Sequence, residues 1–571
     1  MPIISTNNRH SIRPSLNLNF AGSKKMDPRI TFNRNSVATY YDGFTKIRED
    51  ENLVTYSQEN FRTSPWSSWQ VTETDSDTTA PDGTTTASTI THTGSSTTNT
   101  PNTRQGSINL NGVYTISAYV KHGTEEEIEL GVQDYDGTSV QVKFDLVSVT
   151  VTSETNGTGS IVSVGNDWYR ISVTTVSLPN ATYNDAPYIA MKNSDDSNFS
   201  AASGTYFYLW GVQLEQRDFL TAYVPTTDKP IRNSIYKMQT ADTNIPRFDH
   251  NPTTGESLGY LAEEARTNYL VYSNLSNLAN TYGTTTQTNA VKIDPTGKLN
   301  ANVIEASGNW ARTTTVNGLT NGVTYTISMY VKADSATTIS INLYDGATSS
   351  FNSKNVTTEW TRIEDTFTLN NNNTYLRVGL SSQTGTKKIY FAMGQVEAGS
   401  FSTSFIETYG STKTRYADVA QIEAHNFNDG NWYTDGKGTL YAEYIQSKDG
   451  FSGITALRPS SGSSRISFIQ TGLTSLETLI SNEGTTIAQQ FESTGTVGNV
   501  SKLALSYKNN SINSSFNGNI ETEDTNGVVP IRLNILEIAR YGGNYLNSHL
   551  KKLAYYPEAL SRDEIQDLTE E

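Results

Sequence analysis

Aromatic rings on otherwise polar strand faces are the residues of this sequence best suited to bind something. Residues 114–121 (Tyr-Thr-Ile-Ser-Ala-Tyr-Val-Lys) and 325–332 (Tyr-Thr-Ile-Ser-Met-Tyr-Val-Lys) alternate strictly, which sets Tyr119 and Tyr330 beside Thr, Ser and Lys, where packing alone does not call for a ring. A later pair of runs matches Phe207, Leu209 and Gly211 with Ile389, Phe391 and Met393, an apolar face read as core. The other face matches Tyr206 with Lys388, Tyr208 with Tyr390 and Trp210 with Ala392; a face that accepts Lys in one copy is partly wet, so Tyr208, Trp210 and Tyr390 are candidate platforms. Trp66, Trp69 and Trp310 stand in polar, loop-like surroundings and join them. A flat ring with amides and carboxylates around it can stack on a sugar and bond its hydroxyls. The same ring can pack protein against protein, and both readings stay open for all eight. Trp168 and Trp360 recur in both copies and read as framework.

Other chemistries find little support. Glycan cleavage needs two opposed carboxylates across a cleft, and Glu125-Glu126-Glu127 and Glu263-Glu264 read as solvated charge. No GxSxG, phosphate loop or Cys nucleophile occurs, so no enzyme is expected. His10, His92, His122, His250, His425 and His549 lack ligand spacing, and no metal site is assigned. The absence of cysteine removes disulfides and thiol redox chemistry. A net charge of −16 argues against nucleic acid as a partner. No run has the length of a signal peptide or a membrane span, so a soluble chain without membrane insertion is expected. The basic exception lies at the start: Arg9, Arg13, Lys24, Lys25, Arg29 and Arg34 precede the acids at 49–51 and read either as a loose terminus or as an arm docking on an acidic partner.

The elements that must position these groups are strands. With 32 Tyr, 41 Gly and 18% charged residues in 571, the composition is that of short strands joined by polar turns, in about three or four domains. The twin strands belong to a duplicated module. Asn52-Leu53-Val54-Thr55-Tyr56-Ser57 opens the first copy and Asn268-Tyr269-Leu270-Val271-Tyr272-Ser273 the second; Trp168-Tyr169-Arg170-Ile171 matches Trp360-Thr361-Arg362-Ile363, and Gln213 matches Gln395. The offset falls from about 216 residues at Asn52/Asn268 to about 182 at Gln213/Gln395, so the second copy has lost loop length. The domains follow as an N-terminal anchor segment (1–51), the first module (52–226), a hairpin connector (227–267), the second module (268–410) and a third β-sandwich (411–571). The last has strands near 440–444, 454–457, 466–469, 502–507 and 531–538, and ends in one short helix announced by the capping box of Ser561 and Glu564.

Three stretches carry a family resemblance: Ile30-Thr31-Phe32 with Ser36-Val37-Ala38-Thr39-Tyr40, Pro246-Arg247-Phe248-Asp249-His250 through Gly255-Glu256, and Glu263-Glu264-Ala265-Arg266-Thr267-Asn268. The ending His549-Leu550-Lys551-Lys552-Leu553-Ala554-Tyr555-Tyr556-Pro557 adds a fourth. With them the chain resembles bacteriophage tail-fibre or head-fibre proteins that string carbohydrate-binding-module-like jelly rolls to a concanavalin A-like (LamG-like) domain. The resemblance implies an all-β protein: tandem jelly-roll β-sandwiches, here with the first inserted between the stretches above, and a C-terminal concanavalin A-like sandwich. It implies a virion-surface adhesin assembled in the host cytoplasm, held to other virion proteins by its N-terminal segment and binding host surface polysaccharide, as a homo-oligomer such as a trimer. The alternatives are a structural decoration or spacer and, as a minor one, a glycan depolymerase. No cofactor is expected beyond a structural calcium that such jelly rolls often hold; Asp134-Tyr135-Asp136-Gly137, matched to Leu343-Tyr344-Asp345-Gly346, reads first as a hairpin turn.

Overall fold

A computed structural model describes residues 13–94, 100–106, 108–133, 139–179, 186–192, 202–306, 308–370, 372–382, 388–473, 475–483, 485–492 (backbone only) and 496–570. It is built of strands, with three short helices among the described residues, Phe20–Ser23, Ala424–Phe427 and Arg562–Glu570. None is long and apolar enough to cross a membrane. The chain divides into two compact units, Ile47–Ile235 with Val291–Ile293, and Met1–Lys46 with Tyr236–Ala290 and Asp294–Glu571.

The smaller unit is a sandwich of two six-stranded sheets. One runs Thr150–Thr155, Val140–Asp145, Glu127–Gln133, Ala186–Met191, Asn102–Gln105, Trp66–Trp69; the other runs Gly157–Gly165, Trp168–Thr175, Thr115–His122, Tyr206–Glu215, Ala87–His92, Val71–Thr78. The twin strand lies inside the second sheet and sends Ile116, Ala118 and Val120 into the core against Ile128, Leu130 and Ile189. The side division read from alternation is the one observed.

The larger unit repeats this sandwich over 268–410. One sheet runs Ala279–Tyr282, Trp310–Asn317, Tyr375–Ser382, Thr337–Tyr344, Ser349–Val356, and the other contains Leu299–Ala306, Ile389–Ala398, Thr324–Ala333 and Thr361–Thr368 in that order. The hairpin Thr150–Thr155/Gly157–Gly165, which adds an outer strand to each sheet of the first copy, has no counterpart in the second. The shorter offset is therefore a lost strand pair as well as lost loop.

The residues that repeat are structural clamps. The Asn52 amide donates to Val212 O (3.0 Å) and Val224 O (2.8 Å) and accepts from the N–H groups of Val54 and Leu214 (each 3.2 Å). Asn268 does the same with Gly394, Ile406, Leu270 and Val396. Arg170 reaches Thr221 O and Ser117 Oγ, as Arg362 reaches Thr403 O and Ser328 Oγ. Glu215 accepts from both the N–H and the hydroxyl of Thr221, as Glu397 does from Thr403. Each clamp satisfies buried backbone groups where irregular chain crosses the closing strand, which is why both copies need the same side chains there.

The C-terminal sandwich draws on more of the chain than 411–571. Leu16–Asn19 pairs with Ser548–Tyr556, and Ile30–Asn33 pairs with Val419–Ile422. Phe248–His250 and Ser257–Ala262 extend the sheet that continues through Ser548–Tyr556, Lys437–Ile445, Val500–Lys508 and Ser511–Phe516. The segments expected as anchor and connector thus supply strands of this sandwich, and their apolar residues Leu16, Leu18, Phe20, Tyr260 and Ala262 lie in its core. The expected strand at 531–538 is limited to Ile535–Ile538. The terminal helix has its capping box: Ser561 N–H donates to Glu564 Oε2 (2.8 Å), Glu564 N–H to Ser561 Oγ (3.4 Å), and Ile565 is buried.

A buried charge cluster ties these pieces together. Asp418 Oδ1 receives Arg34 Nη1 (2.8 Å) and Oδ2 receives Arg247 Nη2 (2.5 Å). Glu263 Oε2 meets Arg247 (2.8 Å) and Arg415 (3.5 Å) and accepts the Ser404 hydroxyl (2.6 Å). All five ionic groups are at most 5% exposed. Burial alone would raise the Glu263 carboxyl, but Arg415, Arg247 and Ser404 hold it far below its ordinary range. This corrects two readings: Glu263 is not solvated charge, and Arg34 is not an accessible docking residue.

Candidate functional site

On the sheet of the twin strand in each copy, the structure covers the candidate rings. Trp210 (3% exposed) packs with Trp168, Ala80 and Ala87, and Tyr119, Tyr208 and Tyr223 close over it half-buried. The Tyr119 and Trp210 rings meet edge to face at 5.2 Å, and Arg170 sits 5.1 Å from the Tyr119 ring. Tyr330 lies under Tyr41, Met238 and Phe405, and Tyr390 is buried. Trp66 and Trp310 belong to the two module cores, the Trp66 Nε1 donating to Thr55 O at 2.5 Å. Trp210 and Tyr330 are packing groups because chain from elsewhere, Ala80 and Tyr223 on the first and Tyr41 and Phe405 on the second, crosses faces that look polar in the local sequence, whereas Trp66 and Trp310 point into their module cores. Phe207, Leu209, Ile389 and Phe391 are core as expected. Met393 is buried too, but a bulge with φ 57° turns it into the Tyr330 cluster.

Trp69 is the exception, 52% exposed. It stands at the edge of the other sheet, paired with Asn102. Across that outer face run Trp69, Asn102, Ala190, Glu129, Lys143, and beside them Ser67, Arg104, Tyr188, Gly131, Gln141. Its centre is self-satisfied: the Tyr188 hydroxyl donates to Glu129 Oε1 (2.6 Å), Lys192 approaches Oε2 (3.3 Å), and Arg104 donates to Gln133 (2.6 Å).

The corresponding face of the second module is open and aromatic. Cross-strand register places Tyr282, Ala311, Ser381, Ser340 and Ser353 in one row, Ala279, Thr313, Gly379, Asn342 and Phe351 in the next, and Thr315, Arg377, Tyr344 and Ser349 in a third. Tyr282 (65% exposed) stands at one edge and Phe351 (55%) at the other, with small side chains between. Four strand steps separate the edges, about 19 Å at about 4.8 Å per step. A Cβ on Gly379 would fall 2.0 Å from Arg312 O, so the middle of the floor must stay bare. The Arg377 guanidinium lies 5.5 Å from the Tyr344 ring, and the Tyr344 hydroxyl is spent on Gly346 O (2.6 Å). The Asn342 side chain, 8% exposed, has no hydrogen-bond partner among the described residues, while its atoms are not sealed from solvent. No carboxylate stands in the three rows. Such a face can stack and hydrogen-bond a ligand, but it does not hold the two acids of a glycosidase.

These residues were not singled out from sequence, although a signal was present. Thr338, Ser340, Asn342 and Tyr344 alternate with core Ile339, Ile341 and Leu343, and Phe351 is a lone ring among Ser and Asn.

The remaining candidates are scattered. Of the basic groups, Arg13, Lys24 and Lys25 are exposed, Arg29 is held by Asp27 at 2.8 Å, Arg34 is buried, and Arg9 lies outside the described residues. Asp134 to Gly137 also lie outside them. Their match Asp345 forms a turn, accepting the N–H groups of Ala347 (3.0 Å) and Thr348 (2.7 Å).

Glu125 and Glu73 are both buried in the smaller unit. Burial, with the charges of Glu127 and Glu126, raises Glu125 to about 7; burial and a hydrogen bond with Asp75 raise Glu73 to about 7. Each folded pKa exceeds the unfolded value, so the folded state holds extra protons between about pH 4.5 and 7, and stability falls as pH rises through that window. Glu125→Gln is expected to raise the melting temperature of this unit at about pH 8, by the equivalent of about 1–3 kcal/mol, and to leave it unchanged at about pH 5, measured by calorimetry.

Comparison with known proteins bears on the second module. Residues 268–388 match a family described as a carbohydrate binding domain. Among solved structures, the chain is similar to the N-terminal CBM22-1-CBM22-2 tandem domain from Paenibacillus barcinonensis Xyn10C, at 14% identity and TM-score 0.20, covering 62% of this chain and 98% of that one. It is also similar to the M60 catalytic domain with the CBM51-1 and CBM51-2 domains from Clostridium perfringens ZmpB, at 9% identity and TM-score 0.16, covering 65% of this chain and 43% of that one. No curated protein matches the chain.

Proposed function

We propose that the chain is a glycan-binding adhesin on the surface of a bacteriophage virion, and that the outer face of 268–410 bearing Tyr282, Asn342 and Phe351 is its glycan site. The observation that carries the binding reading is the Asn342 amide, 8% exposed and without a hydrogen-bond partner among the described residues, on a carboxylate-free floor between two exposed rings. The family match over 268–388 supports it. Trp69, at the corresponding sheet edge of the first module, is a second and smaller platform. The virion role rests on the resemblance of the Arg247, Glu263 and His549 stretches, with exposed Arg13, Lys24 and Lys25 facing an acidic partner protein. One sugar contact is weak, so attachment depends on several copies acting together, as in a homo-oligomer. A purely structural decoration is the second reading, favoured by the burial of Trp66, Trp210, Trp310, Tyr330 and Tyr390.

The test is binding of the labelled full chain, multimerised, to candidate bacterial hosts before and after periodate oxidation of their surface polysaccharide. Strong binding that oxidation abolishes is the expected result. Binding that survives oxidation, or no binding to any host, refutes glycan attachment and leaves the decoration reading.

A further inference from the structure

The larger unit contains a cleft of about 360 Å³, sharing no residue with the face just described, between the strands around 37–39 and 237–240 and the segments 296–298, 405–407 and 413–415. That volume falls within the roughly 300–1,000 Å³ of small-ligand sites. Its charge is opposite to that of the chain. Lys237, Lys298 and Lys413 line it, with Glu407 as the lone carboxylate in the lining, and Glu407 is taken up by Lys298 at 2.5 Å. Among the described residues, neither Lys237 nor Lys413 has a carboxylate partner, in a protein of net charge −16. Val37, Met238 and Phe405 give the cleft an apolar wall beside these cations.

We infer that this cleft binds an acidic sugar unit of the uronate class. Two uncommitted ammonium groups supply the counter-charge for a carboxylate, and the apolar wall matches the CH face of a pyranose ring. A small inorganic anion would use only the first of these features. A neutral sugar would leave both lysines uncompensated.

Titration calorimetry of the full chain with trigalacturonate tests the assignment. Binding is expected to weaken at least about tenfold on raising NaCl from about 50 to about 500 mM, because exposed charges are screened. The fully methyl-esterified trisaccharide, with the same rings and no charge, should bind at least about tenfold more weakly. Lys413 is exposed and Lys237 half-buried; the double variant Lys237→Gln/Lys413→Gln should cost at least about tenfold in trigalacturonate affinity while keeping the wild-type melting temperature. Tyr282→Ala/Phe351→Ala should leave trigalacturonate affinity within about twofold, since that face lies elsewhere. The inference is overturned if the wild type fails to bind trigalacturonate, if the lysine variant binds it as the wild type does, or if the affinity is lost in the aromatic variant instead. The glycan face and this cleft can therefore fail separately.

Discussion

Asp418→Ala is expected to destabilise the larger unit by about 3–5 kcal/mol, the cost of removing one partner from a fully buried ion pair. The magnitude follows from what stays behind. Arg34 and Arg247 each lose their contact with a carboxylate of 0% exposure, and the Glu263 N–H loses its acceptor at 3.1 Å. Arg247 and Arg415 then share only Glu263, and Arg34 is left with carbonyl oxygens alone, too far into the sandwich for water to replace the missing charge. Arg34 suffers most, since burial already pulls its guanidinium below the ordinary value with Asp418 opposing. Denaturant titration should show a lower midpoint at unchanged slope for that unit. Glu558→Ala is the comparison: its carboxylate, half exposed, pairs with the partly exposed Lys437 at 2.6 Å, and its loss should cost no more than about 1 kcal/mol.

On the binding side, Tyr282→Ala and Phe351→Ala are each expected to weaken glycan binding about tenfold. A ring that covers about 60 Å² of apolar sugar surface contributes about 1.5 kcal/mol at about 25 cal/mol per Å², close to one factor of ten. Both side chains are more than half exposed in the free protein, so truncation opens no cavity and stability should change by less than about 0.5 kcal/mol. Trp210→Ala and Tyr330→Ala should behave in the reverse way, lowering stability by about 3–5 kcal/mol for the loss of a packed ring. Titration with a bound polysaccharide and thermal melts of the same four variants separate the two classes.

What the sequence disclosed and what it hid follow one physical division. The clamps of Asn52 and Asn268, Arg170 and Arg362, and Gln213 and Gln395 satisfy the same backbone groups in each copy, so they recur and can be found by matching the copies. A ligand face need not repeat: Phe351 and Asn342 stand where the first module has the self-paired Glu129, Lys192 and Tyr188 group nearby. Matching copies therefore finds scaffold and passes over the site. Alternation told correctly which side of the twin strands is core, but not what covers the other side. Tyr330 looks wet from its neighbours and is buried by Tyr41 from 289 residues away. In the same way Glu263 reads as solvated until Ser404 and Arg415, distant in the chain, arrive beside it. The terminal capping box was legible because its partners lie three residues apart.

Native electrophoresis of the full chain through gels containing a panel of neutral polysaccharides, with Tyr282→Ala/Phe351→Ala run in the adjacent lane, tests the glycan face most directly. At least one polysaccharide should retard the wild type, and the double variant should migrate through that gel as it does without polysaccharide. Equal retardation of both proteins would place glycan binding somewhere other than this face, and no retardation of the wild type by any polysaccharide would contradict glycan binding itself.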